Sequence, residues 1–347
     1  IECLGCGGPL MSAQGLRSLF SIEPFSVMGP VDALKALPAA RQGARLLAEA
    51  AAREKADAAV LIDGWAFARL AAERIQRLAP RICLVKYVAP QVWASRPHRA
   101  KTLAQLFDGV LTLFSFENKW FERENIPTCS VGSSAFQNAE KAKRNVGDFR
   151  RRQNISDGKL LAVLPGSRVG EVKKLLEPFR QTVDLLHAEI PELHIVIPAA
   201  PLLEDTIQRS VLNWSRQPII VPASERYCAF AASDAALAAS GTVTTELANF
   251  ETPMIVAYRV GWLSTLWFRS VITTPYVSLL NVAAGRAVIP EFLQESCRAD
   301  TMATSLIPLL VDEKARRAQI ETFPGLLRQL GVEGPPAAET AAQAVFE

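Results

Sequence analysis

The chain has 347 residues, of which 49% are hydrophobic and 21% charged, with 38 Lys+Arg against 35 Asp+Glu and a formal net charge of +3. That length exceeds what one hydrophobic core usually holds and predicts two domains, while a charge so near balance gives no ground for a nucleic-acid partner. The six cysteines are scattered apart from Cys3 and Cys6, and His98, His187 and His194 stand outside any ligand spacing, so reduced thiols and no metal site are expected.

Residues 1–6 form a short apolar run that enters a Gly7-Gly8-Pro9 turn and read as a strand. GCGGPL lacks the third glycine of the dinucleotide fingerprint, so neither a nicotinamide nor a flavin cofactor is expected. Cys3 and Cys6 have redox-motif spacing but lie along that strand, and they read as buried structural thiols. Residues 31–55 are helical, with Lys35, Arg41, Arg45 and Arg53 set among alanines and leucines, either as a solvated face or as a membrane-surface contact. Ala58–Ile62 is a strand that ends at Asp63-Gly64-Trp65, which puts a carboxylate at a strand's carboxyl end. A second strand, 82–88, closes at Ala89-Pro90-Gln91-Val92-Trp93, and the basic set Arg96, His98, Arg99 and Lys101 follows. Strand 107–114, a charged helix at 117–124 and strand 128–131 continue an alternation that predicts a parallel, doubly wound α/β sheet.

Between residues 138 and 159 the composition turns polar and basic, through Lys141, Lys143, Arg144, Arg150, Arg151 and Arg152, and reads as the interdomain link. The expected division is a first domain at 1–140, a second at 155–330 and a helical tail at 331–347. The second domain opens with LLAVLPGSRVGEVKKLL at 160–176. Its apolar run is that of a strand buried on both faces, and Glu171, Val172, Leu175, Leu176 and Phe179 recur at helical spacing. Gly166, Ser167 and Arg168 therefore lie in a turn between a strand end and a helix start, where unpaired amides and the helix dipole suit a phosphate. A plain turn with a surface arginine is the other reading. Strands follow at 194–198, 219–221 and Ala235–Ala239. The last runs into Ser240-Gly241-Thr242, a second small-residue turn, with Glu246 one turn inside the next helix. Met254–Tyr258 is a further strand.

These residues resemble the lipid A disaccharide synthase family of glycosyltransferases, which serve Gram-negative outer-membrane assembly. The resemblance rests on Val27-Met28-Gly29, Ile62-Asp63, YVAPQVWASR at 87–96, LLAVLPGSR at 160–168, Glu171-Val172 and ASGTVTTE at 239–246. It continues with YVSLLNVAAGR at 276–286, Ile289-Pro290-Glu291 and Leu293-Gln294-Glu295. It implies a GT-B fold of two Rossmann-like domains facing a cleft, and an enzyme that needs no cofactor and no metal at the diphosphate. The reaction it implies is transfer of 2,3-diacylglucosamine from UDP-2,3-diacylglucosamine to the 6-hydroxyl of 2,3-diacylglucosamine 1-phosphate, with inversion.

Under that resemblance Asp63 is the candidate base for the acceptor hydroxyl, or else a cap of the following helix. Gly166, Ser167 and Arg168 hold the leaving diphosphate. Ser240, Gly241 and Thr242 form the second nucleotide loop, and Glu246 grips the ribose or simply complements the helix dipole. Tyr258 and Arg259 are further nucleotide candidates that could equally end a strand. Asn281, Trp262 and Trp267 are assigned to the acceptor or its acyl chains, residues 261–272 being either an interfacial surface or a core helix. No apolar segment reaches the roughly 18–20 residues that span a bilayer, so attachment to the cytoplasmic face of the inner membrane is expected to be peripheral, with a homodimer one option for assembly.

The chain departs from the family pattern at several points. Trp65-Ala66-Phe67-Ala68 replaces a Pro-Asp-Phe-Asn stretch, Ser133 follows Gly132 where a Gly-His pair is usual, and Lys86 stands where a histidine is common. The family's opening strand, Gly-Glu-Thr-Ser-Gly-Asp loop and helix have no counterpart. If residues 1–6 are the sheet's second strand, a central strand is missing, and the expectation is a shortened chain with a poorly folded first domain. The alternative function is a relative that binds UDP-sugar or lipid without turnover.

Overall fold

The structure, a computed structural model, describes residues 2–22, 30–142, 148–155, 157–200, 203–259 and 274–346. They divide into two compact units, residues 1–132 with 335–347 and residues 133–334.

In the first unit β1 (Ala58–Ile62), β2 (Cys83–Tyr87), β3 (Gly109–Thr112) and β4 (Thr128–Ser130) form a parallel sheet in simple sequential order. The helices are α1 (Pro9–Ala13), α2 (Pro30–Arg53), α3 (Trp65–Leu78), α4 (Arg99–Leu106) and α5 (Asn118–Glu122). Successive strand residues face opposite ways, so Leu61, Leu84 and Val110 meet Ala44 and Ala48 of α2, Ala68, Ala71 and Ile75 of α3, Leu103 and Phe121 in one core. Val85, Leu111 and Val131 project to the other face, where Ala341 of the helix Ala337–Phe346 covers them. Among the described strands β1 lies at the edge of this sheet, and Val60 and Ile62 are 38% and 46% exposed.

Residues 2–6 are not a strand. The described part makes a single bridge, Gly5 to Ser18, before Pro9 starts α1. Gly5, Gly7 and Gly8 give an extended ladder little to pack and much entropy to lose, which outweighs the few apolar side chains. Cys3 is exposed rather than buried, and Cys6 donates to Phe20 O at 3.2 Å.

The second unit holds β5 (Leu160–Leu164), β6 (His194–Ala199), β7 (Ile219–Pro222), β8 (Ala235–Ala239), β9 (Met254–Tyr258) and β10 (Glu291–Leu293). All pair in parallel in the order β10-β9-β8-β5-β6-β7. From β5 the chain steps outward to β7, then returns to the other flank of β5 with β8. That reversal is a topological switch point, and the carboxyl ends of β5 and β8 beside it are where open α/β sheets bind ligands. Every residue of β5 and β8 is buried, as their unbroken apolar runs require. Its helices include α6 (Ser134–Ala142), α7 (Phe149–Arg152), α8 (Val169–Glu189), α9 (Glu204–Val211), α10 (Arg226–Ala232) and α11 (Val243–Asn249).

The basic segment read as an interdomain link contains α7 and the end of α6. Arg150 donates to Ala232 O at 3.0 Å, Gly158 O at 3.1 Å and Asp234 Oδ2 at 2.6 Å, while the same Asp234 oxygen accepts Leu160 N at 2.9 Å. The clamp ties α7 to the first residues of β5 and β8. Composition shows charge but not partner, and here the charge is a fastening of the second unit. The chain passes between the units at 132/133 and 334/335, with residues 335–347 belonging to the first.

Candidate functional site

In the second unit, the turn at 165–168 joins β5 to α8. Gly166 sits at φ +115°, and a Cβ there would lie 2.6 Å from Glu171 Oε2 and 2.7 Å from Glu171 Cβ, so only glycine fits. Glu171, in the first turn of α8, accepts Ser167 N at 3.2 Å on one oxygen and Arg168 Nη1 at 3.0 Å on the other. A carboxylate already occupies the donors that a phosphate would use. The 21-residue α8 adds its dipole, and the Arg168 side chain is 56% exposed, free to turn toward a ligand. Tyr258, at the end of β9, feels both charges. Burial chiefly raises its phenol pKa, Glu171 adds to the rise and Arg168 opposes it. The structure thus groups Gly166, Ser167, Arg168 and Tyr258.

At the end of β8, Ser240 N donates to Ala257 O at 3.2 Å and Ser240 Oγ to Val277 O at 3.0 Å. A Cβ on Gly241 would meet nothing within 4 Å, so there is open space above the turn. Thr244 and Thr245 fold their hydroxyls back onto Gly241 O and Thr242 O at 2.9 and 2.6 Å. The turn is therefore closed by its own side chains, and α11, seven residues long, contributes little dipole.

Glu246 is 9% exposed and accepts Arg226 Nε at 3.2 Å. Burial raises its pKa, and Arg226 opposes the rise. Arg226 in turn donates to Tyr227 Oη at 2.6 Å and lies 4.3 Å over the Tyr227 ring. Among the described residues the second Glu246 oxygen accepts no hydrogen bond. One oxygen is fixed and the other is open to a hydroxyl pair. Sequence reading missed Arg226, because nothing local marks a partner that lies one βα unit upstream.

Arg259 donates to Gln294 O at 3.3 Å and Cys297 O at 2.8 Å, holding the chain beyond β10. Asn281, assigned above to the acceptor, is fully buried. Its Nδ2 donates to Ile289 O and Glu291 Oε1, both at 2.8 Å, and its Oδ1 accepts Val288 N at 2.7 Å and Ile289 N at 2.9 Å. No polar atom of that side chain is left for a ligand, and the geometry gives it a bracing role. Glu291 also accepts Val277 N and Ser278 N at 2.9 Å each, so it shapes the loop that receives Ser240. Trp262 and Trp267, with segment 261–272, lie outside the described residues, as does Val27-Met28-Gly29.

In the first unit, Asp63 follows β1 at φ +49°, with Gly64 at φ +40° next to it. Its carboxylate is exposed and accepts no hydrogen bond among the described residues. α3 starts without a side-chain cap, so Asp63 does not cap it. Asp63 N donates to Tyr87 O at 2.9 Å. Lys86, within β2, is fully buried and donates to Leu61 O at 3.0 Å, Asp63 O at 2.7 Å and Tyr87 O at 2.9 Å. Burial pushes its pKa from 10.5 down to about 7, against the upward pull of Asp63. A lysine inside Cys-Leu-Val-Lys-Tyr is itself a sequence signal, since lysines are almost never fully buried without partners.

The stretch after β2 is held just as firmly. Val88 has φ +62°, a strained value for a β-branched residue, and Arg96 has φ +53°. Trp93 Nε1 donates to Glu117 Oε1 at 3.0 Å, while Leu113 N and Phe114 N donate to Oε2 at 3.1 Å each. Burial pushes Glu117 up to about 7 in spite of these three donors.

A family model described as Lipid-A-disaccharide synthetase matches residues 1–344. The chain is 38% identical over 351 residues to the lipid-A-disaccharide synthase of Rhodospirillum centenum, covering 100% of this chain and 86% of that one. It is 39% identical over 352 residues to the synthase of Paramagnetospirillum magneticum, covering 100% and 90%. Among solved structures, UDP-GlcNAc 2-epimerase from Neisseria meningitidis bound to UDP-GlcNAc superposes with TM-score 0.59 at 12% identity, over 96% of this chain and 88% of that one. A UDP-forming α,α-trehalose-phosphate synthase from Burkholderia xenovorans gives 0.58 at 13%, over 90% and 79%. At such identities these two speak for the α/β fold with two parallel sheets, of the GT-B type.

Proposed function

The chain belongs to the Lipid-A-disaccharide synthetase family, and from that premise we propose that it transfers 2,3-diacylglucosamine from UDP-2,3-diacylglucosamine to the 6-hydroxyl of 2,3-diacylglucosamine 1-phosphate. The products are the β-1,6-linked disaccharide and UDP. The observation that carries the reading is the turn at 165–168, where one amide and one guanidinium already hold a carboxylate at the mouth of a long helix.

On this reading the diphosphate displaces Glu171 from Ser167 N and Arg168, and these donors with the α8 dipole stabilise the negative charge that builds on the leaving group. The step is proposed as metal-independent because these groups supply the needed positive charge. The free oxygen of Glu246 accepts from the ribose, and Tyr258 lies against the diphosphate turn. Asp63, exposed and unencumbered, takes the proton of the acceptor hydroxyl as the oxygen attacks the anomeric carbon from the face opposite UDP, with inversion.

Both substrates carry acyl chains, and no helix among the described residues is long and apolar enough to cross a membrane. We place the enzyme peripherally on the cytoplasmic face of the inner membrane, as a monomer or homodimer. Binding without turnover is not favoured, since the relatives at 36–39% identity are named as synthases. The test is UDP release in the presence of both acylated substrates. Release that requires both supports the reading. Tight UDP binding with no release under those conditions would replace it with the binding-only alternative.

A further inference from the structure

Lys86 is the one fully buried charged side chain among the described residues, and its ammonium has three hydrogens and three carbonyl acceptors. Two of those carbonyls, Leu61 O and Asp63 O, belong to the corner that carries the candidate base. The third, Tyr87 O, also accepts Asp63 N, so the ammonium joins the two strand ends across which Asp63 is hung.

That corner needs holding. Asp63 and Gly64 are consecutive left-handed residues, a conformation costly for aspartate, and no side chain caps the helix that follows. β1 is the sheet's edge, so among the described strands only β2 can brace it. Beyond the β1–β2 ladder, the bracing from β2 is one backbone hydrogen bond, Asp63 N to Tyr87 O, and the two Lys86 bonds to Leu61 O and Asp63 O. Without the ammonium, Leu61 O and Asp63 O would lose a partner, and the corner could relax toward ordinary backbone angles and swing the carboxylate aside.

We propose that Lys86 is a positioning residue for transfer: by binding Leu61 O, Asp63 O and Tyr87 O together it fixes the left-handed corner from which the Asp63 carboxylate meets the acceptor hydroxyl. Being fully buried, with every hydrogen engaged, it touches no substrate. Its charge also lies close enough to Asp63 to be felt, as the upward pull of Asp63 on the lysine indicates. The inference rests on the reading of Asp63 as the base.

The test is a double-mutant cycle of Lys86→Met with Asp63→Asn, reading kcat and KM for both substrates and UDP affinity by calorimetry. Lys86→Met is expected to lower kcat by about a hundredfold, the scale of a small misplacement of a reacting group, with KM for the UDP-sugar and UDP affinity within twofold. In the Asp63→Asn background the same change is expected to cost less than about twofold, because the group it positions is already gone. An equal loss in both backgrounds, or an unchanged kcat with only a lower melting temperature, overturns the proposal and leaves Asp63 as base. Full transfer by Asp63→Asn alone overturns the base reading and this inference with it, a distinct outcome. If Lys86→Met fails to unfold cooperatively, Lys86→Gln, which keeps two N–H donors, takes its place under the same criteria.

Discussion

Although the carboxylate of Glu117 holds the loop after β3, two other strand-end corners, that after β1 in the first unit and that after β5 in the second, are braced by opposite charges. In the second, carboxylates do it: Glu171 holds Ser167 N and Arg168, and Glu291 holds Val277 N and Ser278 N. In the first, an ammonium does it, with Lys86 on three carbonyls. A loop built to receive an anion must point donors outward, and a carboxylate keeps those donors satisfied until the ligand arrives. A corner built to present a carboxylate must turn its carbonyls inward, and a buried cation is what they can bind. The burial differs in parallel, since β5 and β8 are covered on both faces while β1 lies at an exposed edge.

The comparison breaks most readily at the carboxylate it is meant to present. Asp63→Asn should lower transfer by about 10²–10⁴-fold, the usual worth of a general base, with UDP affinity unchanged because the loops proposed for the nucleotide belong to the other unit. Turnover and calorimetry on the same preparation check both halves. Arg168→Ala should cost about a hundredfold in turnover, the scale of losing one transition-state charge contact, and weaken UDP binding as well, with an unchanged circular dichroism spectrum. An Arg168 variant that keeps both properties would remove the anion-receiving role from the second unit.

Gly166→Ala sharpens the same contrast from the steric side. The added methyl meets Glu171 at 2.6 Å and the residue is forced to φ +115°, so a loss of about 1–3 kcal/mol in unfolding free energy is expected, together with weaker UDP binding. Urea unfolding and calorimetry measure the two.

The smallest effect is a pH slope. Lys86 releases its proton near pH 7 in the folded chain and near 10.5 when unfolded. Between those values the unfolded state binds more protons, so unfolding free energy rises with pH, by at most about 1.4 kcal/mol per unit. The stability of the natural chain relative to Lys86→Met should therefore be larger at pH 9 than at pH 7 in urea titrations. An equal difference at both would mean that the lysine keeps its proton throughout.

The strands of the second unit were legible because double burial leaves an unbroken apolar run, and Leu160–Leu164, Ala235–Ala239 and Met254–Tyr258 fall where the sequence puts them. Residues 107–114 were read as one strand, yet β3 is Gly109–Thr112. Asp108 turns its carboxylate onto Leu84 N at 2.7 Å, and Phe114 bends toward Glu117, both tertiary contacts that composition does not show. The site was legible where it is local, as in the turn from Gly166 to Arg168 with Glu171 one helical turn on. It was illegible where partners come from separate elements, as with Arg226 and Glu246, or where a polar side chain is consumed by hydrogen bonds inside the fold, as with Asn281 and Lys86.

The helix Ala337–Phe346 lies on Val85, Leu111 and Val131, although the whole of residues 133–334 intervenes in the chain. A growing polypeptide therefore makes that face of the first sheet roughly 200 residues before its cover, an interval of about 10–40 s at 5–20 residues per second. Throughout it, a ribosome-bound nascent chain displays a valine- and leucine-lined slab beside the exposed Val60 and Ile62. The second unit can mature while the first is still waiting, so the sheet synthesised earlier is the one finished last.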